Sequence, residues 1–296
     1  MTKKLVEKII LRMEKEGFMI HGVVCDMGNH TFQKQMKMKD LNNSFKNPAD
    51  EKRNVYIFPD IPHMIKLARN HLMDKGFLVP DKYGKLVYLS KYDYQKLLDA
   101  DAADPLSDTK ICYKLTADHL NCKGSMRQNV ALATQVFSRT CAKAFLQVGV
   151  KDAEAKHDAV MIFDEYFDVM NTAKLCHKRP LSCALGNRNV VQRQFEVLRN
   201  MENFLDNFMI NGKSPDAKEL PWIQGIRISI KSTRALYIEQ VKKGPLSFIK
   251  TKSLNQDCLE NLFSRIRGMY KFLSKLIIYF LLVLIIGSTK IKFSLF

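Results

Sequence analysis

The sequence lacks the common motifs of nucleotide-binding and hydrolytic enzymes. Its 296 residues contain neither a Walker-type GxxxxGK[ST] string nor a GxGxxG string. The usual phosphate-binding loops are therefore absent. The GxSxG string of α/β-hydrolases is missing as well. Any nucleotide or phosphate chemistry in this chain must rest on a different arrangement of side chains.

The cysteines do not form a zinc-finger pattern. The sequence has 7 cysteines but no CxxC pair and no Cys/His set with finger spacing. Cys176, His177 and Cys183 are the nearest approach to a metal cluster. A fourth ligand is missing there, and adjacent ligands suit tetrahedral zinc poorly. The pattern favours reduced thiols in a cytosolic or nuclear protein.

Acidic residues are in the minority. Asp and Glu number 30 against 47 Lys and Arg, which gives a formal net charge of +17. The hydrophobic share of 46% and the charged share of 26% are typical of globular proteins. They argue against a disordered chain, a collagen, a coiled coil or a disulfide miniprotein. The length suits one or two domains, and the charge points to a polyanionic partner: nucleic acid or an acidic membrane face.

The first ninety residues alternate between helix and strand patterns. Apolar residues recur at helical spacing between Leu5 and Met13, and residues 18–25 then form a strand pattern that ends at Asp26. A second strand pattern at 55–58 is followed by Asp60 and a helix over 61–72, and a polar loop is predicted for 34–53. This order predicts an α/β layer. Because few strand partners are available upstream, we expect sheet strands to be missing from this chain.

The rest of the chain is mainly helical in pattern. Helices are predicted over 91–100, 126–147, 153–171, 190–208 and 256–269, with a linker at 211–221. An apolar run follows at 272–287, for which two interpretations stay open. A tail anchor is one, although the run is interrupted by Lys275 and is shorter than the roughly 20 residues of a transmembrane helix. A spurious translation of A/T-rich DNA is the other and is favoured, so a membrane is not an expected partner.

Three acidic residues occupy positions suited to a metal site. Asp26 and Asp60 each end a predicted strand, and Glu260 lies on the last predicted helix. Carboxylates that converge in this way can hold two Mg²⁺ ions, which activate an attacking hydroxyl and stabilise a leaving oxygen. The alternative is that an Asp after a strand caps a helix. Spacing alone does not decide between them.

Six short strings in sequence order carry a family resemblance. They lie at residues 22–29, 58–70, 114–120, 130–138, 167–171 and 253–267. The first contains Asp26, the third ends at His119-Leu120, and the last contains Glu260. In order and approximate spacing the six strings resemble the P-element-type transposases, a group that includes the THAP-domain transposases. The resemblance covers residues 1 to about 268.

This resemblance implies an α/β plus α fold: an RNase H-like fold interrupted by a mostly helical GTP-binding insertion domain. We expect the first part of the RNase H-like domain at 1–90, the insertion at 91–235, the closing part at 236–270 and a spurious tail at 271–296. The family's first strand, with its first catalytic Asp, and its zinc finger would precede Met1. The RNase H-like fold is therefore expected to be incomplete, truncated at its N-terminus.

The resemblance also assigns roles to individual residues. Asp26 and Glu260 match the second and third acids of the family's catalytic triad and are expected to bind Mg²⁺. Asp168 and Asn171 fall on the nucleotide-binding string, and Asp257 is expected to face GTP or its Mg²⁺. A carboxylate such as Asp168 can accept two hydrogen bonds from the N1–H and N2–H₂ groups of guanine, an edge that adenine does not offer. An ordinary surface or capping Asp is the alternative.

DNA contact is expected to use the basic excess. The candidates are Lys66, Arg69, Arg265 and Arg267, which would bind phosphates and make the affinity depend on salt. The chain is predicted to be a fragment of a nuclear P-element-like DNA transposase that acts on transposon ends. GTP is expected to organise the protein without being hydrolysed, and a homo-oligomer is a further candidate assembly. Two alternatives are a domesticated, non-catalytic DNA- or GTP-binding protein and a tail-anchored membrane protein.

Because the first acid of the triad is expected to be absent, we expect the purified 296-residue chain not to cleave DNA. The measurement is incubation with a terminal-inverted-repeat substrate and Mg²⁺, followed by denaturing electrophoresis. Cleaved strands that disappear on replacement Asp26→Ala would contradict this expectation.

Overall fold

The computed structural model describes residues 3–26, 42–103, 110–212 and 219–269, with the side chains of 266–269 left out. The chain divides into two compact units. The first consists of Met1–Asp60 with Gln224–Phe296, and the second of Ile61–Ile223. The second unit is thus an insertion between two parts of the first.

A small mixed sheet forms the centre of the first unit. Its strands are β1 (Gly22–Cys25), β2 (Ser44–Asn47) and β3 (Asp50–Pro59), in the order β1-β3-β2. β1 is parallel to β3, with Cys25 opposite Pro59, whereas β2 is antiparallel to β3. The last five residues of β3 are buried, because this central strand is covered on both faces.

Three α-helices lie in the described part of the first unit. They are α1 (Lys3–Lys15), the portion of α9 (Pro221–Tyr237) that follows Ile223, and α10 (Asp257–Met269). Ser232 of α9 donates to the carbonyl of Ile57 at 2.5 Å, and Ser229 to that of Pro59 at 3.4 Å. On α1, Glu14 binds the Arg53 guanidinium through both carboxylate oxygens, at 3.0 and 2.7 Å. Both helices are therefore held to β3 by polar contacts as well as by apolar packing.

The second unit is mostly helical. Its longer helices are α2 (Ile61–Lys75), α3 (Lys91–Ala103), α6 (Arg139–Val148), α7 (Ala153–Met170) and α8 (Val191–Asn207). Two shorter ones are α4 (Ala117–Leu120) and α5 (Val130–Val136). A second sheet has the order β5-β4-β6, from β4 (Phe77–Pro80), β5 (Leu86–Leu89) and β6 (Met209–Ile210). Gly76 precedes β4 at a φ of +78°, and a Cβ there would lie 2.5 Å from the Tyr88 ring, so only glycine suits this turn.

Aromatic side chains form the core of the second unit. The rings of Phe137 and Phe163 stack with centroids 4.3 Å apart, and Phe77 meets Phe208 edge-on at 5.1 Å. Trp222 is fully buried and stacks on Phe77 at 6.1 Å. Such ring pairs add stability beyond the apolar area that they bury. They join β4, α5, α7 and the end of α8 into one core.

Three details differ from the sequence analysis. β2 lies inside the region predicted as a polar loop. The sequence did not predict this strand because it has only four residues and most of them are polar. The helix predicted over 126–147 is divided into α5 and α6, since the Ser138 hydroxyl accepts a hydrogen bond from the Cys141 N–H and starts a new helix. The compact units change after Asp60 and Ile223 rather than after 90 and 235, because β4 pairs with β6 and binds residues 77–80 to the second unit.

Within the described ranges, no helix is long and apolar enough to cross a membrane. The apolar run at 272–287, on which the tail-anchor alternative rests, lies outside the described residues.

A buried ion pair gives a test of this fold. Lys156 Nζ lies 2.6 Å from Asp93 Oδ1, with side chains only 4% and 9% exposed. Replacement Lys156→Ala should lower the free energy of unfolding by about 3–5 kcal/mol, because it leaves a buried carboxylate without its partner. Urea denaturation measures this.

The matched control is Lys82→Ala. Lys82 pairs with Glu154 at 3.2 Å, but these side chains are 62% and 75% exposed, so the loss should be much smaller. Equal losses for the two variants would contradict the structural role of the buried pair.

Candidate functional site

A cavity of about 260 Å³ opens in the second unit beside α6 and α7. The turn before α4 contributes Tyr113 and Lys114, and the start of α6 contributes Ser138, Arg139 and Thr140. The remaining walls come from Ile65 of α2, the end of α5, the C-terminal half of α7 and Arg179. Apolar rings, cationic side chains and carboxylates thus line one concave site, a combination common in ligand pockets.

Asp168 lies on the last turn of α7 and faces this cavity. Its side chain is 15% exposed, and its Oδ1 lies 3.5 Å from the Arg179 Nη1. In the part of the chain that the structure describes, Oδ2 is buried and has no hydrogen-bond partner. An unpaired buried carboxylate oxygen is unfavourable by itself, so it marks a position where a ligand donor can bind. Asn171, the other predicted nucleotide residue, is the C-cap of α7.

A second carboxylate of the cavity, Asp164, holds the start of α6. Its Oδ1 accepts a hydrogen bond from the Arg139 N–H at 3.1 Å. Burial raises the pKa of Asp164, and the bond from the Arg139 N–H opposes this rise. Among the described residues, Asp164 Oδ2 and Arg139 Nε have no hydrogen-bond partner. Together with Asp168 Oδ2, three buried polar atoms at this cavity are unsatisfied.

His119 fixes another cavity residue, Gln135. Its Nδ1 accepts from the Thr116 N–H at 3.0 Å, and its Nε2 lies 2.6 Å from Gln135 Oε1. Because Nδ1 is the acceptor, the neutral ring carries its hydrogen on Nε2 and donates it to Gln135. His119 is therefore a buried positioning residue of the cavity wall.

The predicted acidic residues of the first unit lie near the ends of β1 and β3. Asp26 follows β1 and is exposed, whereas Asp60 follows β3 and is buried. Burial, together with the Asp26 and Asp60 carboxylates, raises the pKa of Cys25 to about 12. Asp60 Oδ1 accepts from the Gln256 N–H at 3.0 Å, the residue just before α10. Asp60 therefore caps a helix that is distant in sequence.

Glu260 and Asp257 lie in the first turn of α10. Glu260 is exposed, and its N–H donates to the carbonyl of Gln256 at 2.9 Å. Asp257 Oδ2 lies 3.5 Å from Lys252 Nζ. Over the described ranges, no three His, Cys, Asp or Glu side chains are grouped closely enough to hold a metal ion. These residues alone do not form a complete metal site.

The predicted DNA contacts separate into two groups. Arg265 is exposed on α10. Arg267 lies on the same helix, but its side chain is not among those that the structure describes. Arg69 requires a correction, because its guanidinium is fully buried and donates to Cys122 Sγ at 2.8 Å and to the carbonyls of Met126 and Arg127. Lys66 is also buried. Burial leaves the Arg69 charge unable to meet a DNA phosphate in this conformation.

Comparison with known proteins identifies the relatives of this chain. A family model described as TNP-like, GTP-binding insertion domain matches residues 62–182, within the second unit. The Transposable element P transposase of Drosophila melanogaster is 27% identical over 275 residues, or 90% of this chain and 35% of that protein. The solved Drosophila P element transposase strand transfer complex matches 97% of this chain and 64% of its own, with 26% identity and a TM-score of 0.82. In sequence and in fold the chain is thus similar to a P-element-type transposase.

These matches confirm the resemblance found in the six strings. They favour the P-element transposase interpretation over a domesticated binding protein or a tail-anchored membrane protein. The chain spans 35% of the length of its curated relative and 64% of its structural relative.

Two of the six strings contain cavity residues that were not predicted as site residues from the sequence. Lys114 begins the third string and Ser138 ends the fourth, and both line the cavity. Arg139 follows directly after Ser138. In the third and fourth strings, the resemblance assigned no side chain to the nucleotide. Only the structure brings these residues to the same cavity as Asp168.

The capping role of Asp60 gives a test. Replacement Asp60→Ala should speed hydrogen exchange at the start of α10 and cost about 1–3 kcal/mol, because the Gln256 N–H loses a charged acceptor. Hydrogen-exchange mass spectrometry of peptides covering 251–265 measures this. Asp60→Asn keeps an acceptor oxygen and should exchange more slowly than Asp60→Ala. Unchanged exchange in Asp60→Ala would refute the capping role.

Proposed function

We propose that the cavity beside α6 and α7 binds GTP, with the guanine base at Asp168. The observation that carries this proposal is the unpaired, buried Oδ2 of Asp168 in a cavity of about 260 Å³. Its position inside the region that matches a GTP-binding insertion domain supports the choice of nucleotide. The volume suits a base better than a whole nucleotide, since ligand pockets usually measure about 300–1,000 Å³. The phosphates are therefore expected to lie at or outside the mouth.

The cavity residues suit the parts of a guanine nucleotide. The Asp168 carboxylate accepts from guanine N1–H and N2–H₂, and the half-buried Phe167 offers a ring for stacking. Lys114 and Arg139 supply positive charge for phosphate oxygens. Arg179 is 57% exposed and only 3.5 Å from Asp168, so it can turn away when the base enters. Asn171 remains a proposed nucleotide contact, and the role of Asp257, in the first unit, stays a prediction.

We propose further that the complete protein is a nuclear, P-element-like transposase acting on transposon ends. The match to a P element transposase strand transfer complex over 97% of this chain supports this. In this proposal, residues of the first unit belong to an RNase H-like domain, and the second unit is its GTP-binding insertion. Asp26 and Glu260 are the proposed Mg²⁺ ligands, and the metal would supply two-metal phosphoryl transfer. Assembly as a homo-oligomer is part of the same proposal.

DNA contact is proposed for α10. Arg265 is exposed there, and Arg267 follows it by two residues. Such cations bind phosphates without reading sequence, and each contact releases counterions. The affinity contributed by α10 should therefore fall as salt rises.

The nucleotide proposal is tested by the replacement Asp168→Ala. Its affinity for a fluorescent GTP analogue should fall about 10- to 100-fold, because two hydrogen bonds to a charged group are lost. Wild-type protein should prefer GTP to ATP in competition, because adenine offers no matching pair of donors. Fluorescence anisotropy measures both.

The matched control for this experiment is Asp158→Asn. Asp158 lies on the same helix but is exposed and bound to His157 at 2.8 Å. This variant should bind like wild type. Equal affinities of wild type and a folded Asp168→Ala would remove Asp168 from the site, and equal affinity for ATP and GTP would remove the guanine assignment.

A further inference from the structure

Two buried cysteines lie side by side in the second unit. The Sγ atoms of Cys112 and Cys141 are 3.3 Å apart, and the residues are only 1% and 2% exposed. Both are free thiols. A disulfide bond measures about 2.05 Å, so the two sulfurs need to approach by only about 1.2 Å.

The two thiols are chemically different. Cys141 is the third residue of α6, and its N–H donates to Ser138 Oγ at 3.3 Å. The N-terminus of a helix stabilises a thiolate. The hydrogen bond between the two thiols lowers the pKa of Cys141 and raises that of Cys112. The Cys141 thiol donates to the carbonyl of Gln135 at 3.2 Å, so it reacts once that proton is lost, and the helix N-terminus then favours its thiolate. Cys112, whose sulfur is 3.3 Å away, is placed to attack the oxidised sulfur in a second step.

We propose that Cys112 and Cys141 form a reversible disulfide when a small peroxide oxidises the chain, and that this bond regulates the nucleotide cavity. The Cys141 thiolate attacks a peroxide oxygen, the O–O bond breaks, and the sulfur becomes a sulfenic acid as hydroxide leaves and takes up a proton to form water. Cys112 then attacks that sulfur and releases a second water as its own proton is transferred. Two thiols and one hydrogen peroxide thus give one disulfide and two waters.

The position of the pair connects it to the cavity. Tyr113 and Lys114 directly follow Cys112, and Ser138, Arg139 and Thr140 directly precede Cys141. All five residues line the cavity. The turn with Cys112 is otherwise held by Asp101, whose carboxylate accepts from the N–H groups of Ile111 and Cys112 at 2.7 and 3.1 Å. A disulfide would add a covalent bond between two walls of the cavity.

This regulatory step rests on the proposed binding of GTP. Because the linked walls cannot separate, a bound nucleotide should leave more slowly from the oxidised chain than from the reduced chain. A site that is already fixed in its bound arrangement loses less conformational entropy when the ligand binds, which favours the bound state. The formation of the disulfide itself does not depend on the nucleotide.

The first experiment detects the bond directly. The full chain is treated with hydrogen peroxide, free thiols are alkylated under denaturing conditions, and the protein is digested with trypsin. Cleavage after Lys110, Lys114, Arg139 and Lys143 isolates the two cysteines in peptides 111–114 and 140–143. Mass spectrometry should find these peptides linked, with the loss of two hydrogens, and separated again by dithiothreitol. Full alkylation of both peptides after peroxide would overturn the proposal.

Variants give the control. Cys112→Ser should abolish the linked peptide, whereas Cys176→Ser, at an exposed cysteine of the same unit, should retain it. If Cys112→Ser does not fold, the digest of the wild-type chain still decides whether the bond forms. Linkage of Cys141 mainly to another cysteine would also overturn the proposal.

The second experiment measures release of a fluorescent GTP analogue by stopped flow. Oxidised protein should release it at least about threefold more slowly than reduced protein, and dithiothreitol should restore the rate. If the linked peptide is present but oxidised and reduced protein release the analogue at equal rates, the regulatory role is overturned and only the formation of the disulfide is supported. If neither form binds the analogue, the proposed nucleotide function fails and the regulatory role fails with it, whereas the linked peptide still decides the disulfide.

Discussion

The chain leaves the first unit and returns to it at neighbouring positions, and the rest of the architecture depends on this constraint. Pro59 ends β3, and its carbonyl lies 3.4 Å from the hydroxyl of Ser229, although 170 residues separate the two. Ser232 then binds the carbonyl of Ile57. Because both ends of the insertion are fixed by the strand and helix of the first unit, the residues between them must close into a compact body of their own. The pairing of β4 with β6 and the stacking of Trp222 on Phe77 achieve this closure.

The cavity beside α6 and α7 follows from how that body is packed. Phe163, fully buried on α7, stacks on Phe137 at the end of α5, and the chain restarts as α6 at Arg139. The break between α5 and α6 exposes N–H groups that one long helix would have satisfied internally. Asp164 accepts one of them through Oδ1, and its Oδ2 lies 3.5 Å from Arg139 Nη2 but has no hydrogen-bond partner among the described residues. The same interruption that gives α6 its N-terminus therefore also gives the cavity its polar wall and places Cys141 on the first turn.

The sequence predicted the long amphipathic segments well and the short or buried polar features poorly. Residues 153–171 and 190–208 have strong helical periodicity, and the structure has helices at Ala153–Met170 and Val191–Asn207. β2 was missed because Ser44–Asn47 has no alternating pattern, and its pairing with β3 comes from distant residues. Arg69 was predicted to bind a DNA phosphate, but its guanidinium donates three hydrogen bonds to residues 122–127, which only the three-dimensional structure shows. Periodicity reports which face of a helix is apolar, and it does not report a buried cation whose donors are all satisfied.

Asp60 and Asp168 have different roles in the structure, although the sequence alone does not distinguish them. Asp60 and Asp168 were both candidates for function, and both had helix capping or a surface position as the alternative. The structure gives Asp60 a backbone donor from a distant helix, so its buried charge is used in holding α10 in place. It gives Asp168 a contact of 3.5 Å with an exposed arginine, and among the described residues one buried oxygen of Asp168 has no donor. Since an unsatisfied buried oxygen destabilises the folded chain, its presence at a cavity is better explained by a ligand than by stability. Asp60 therefore supports the position of the Glu260 helix, whereas Asp168 is available for recognition.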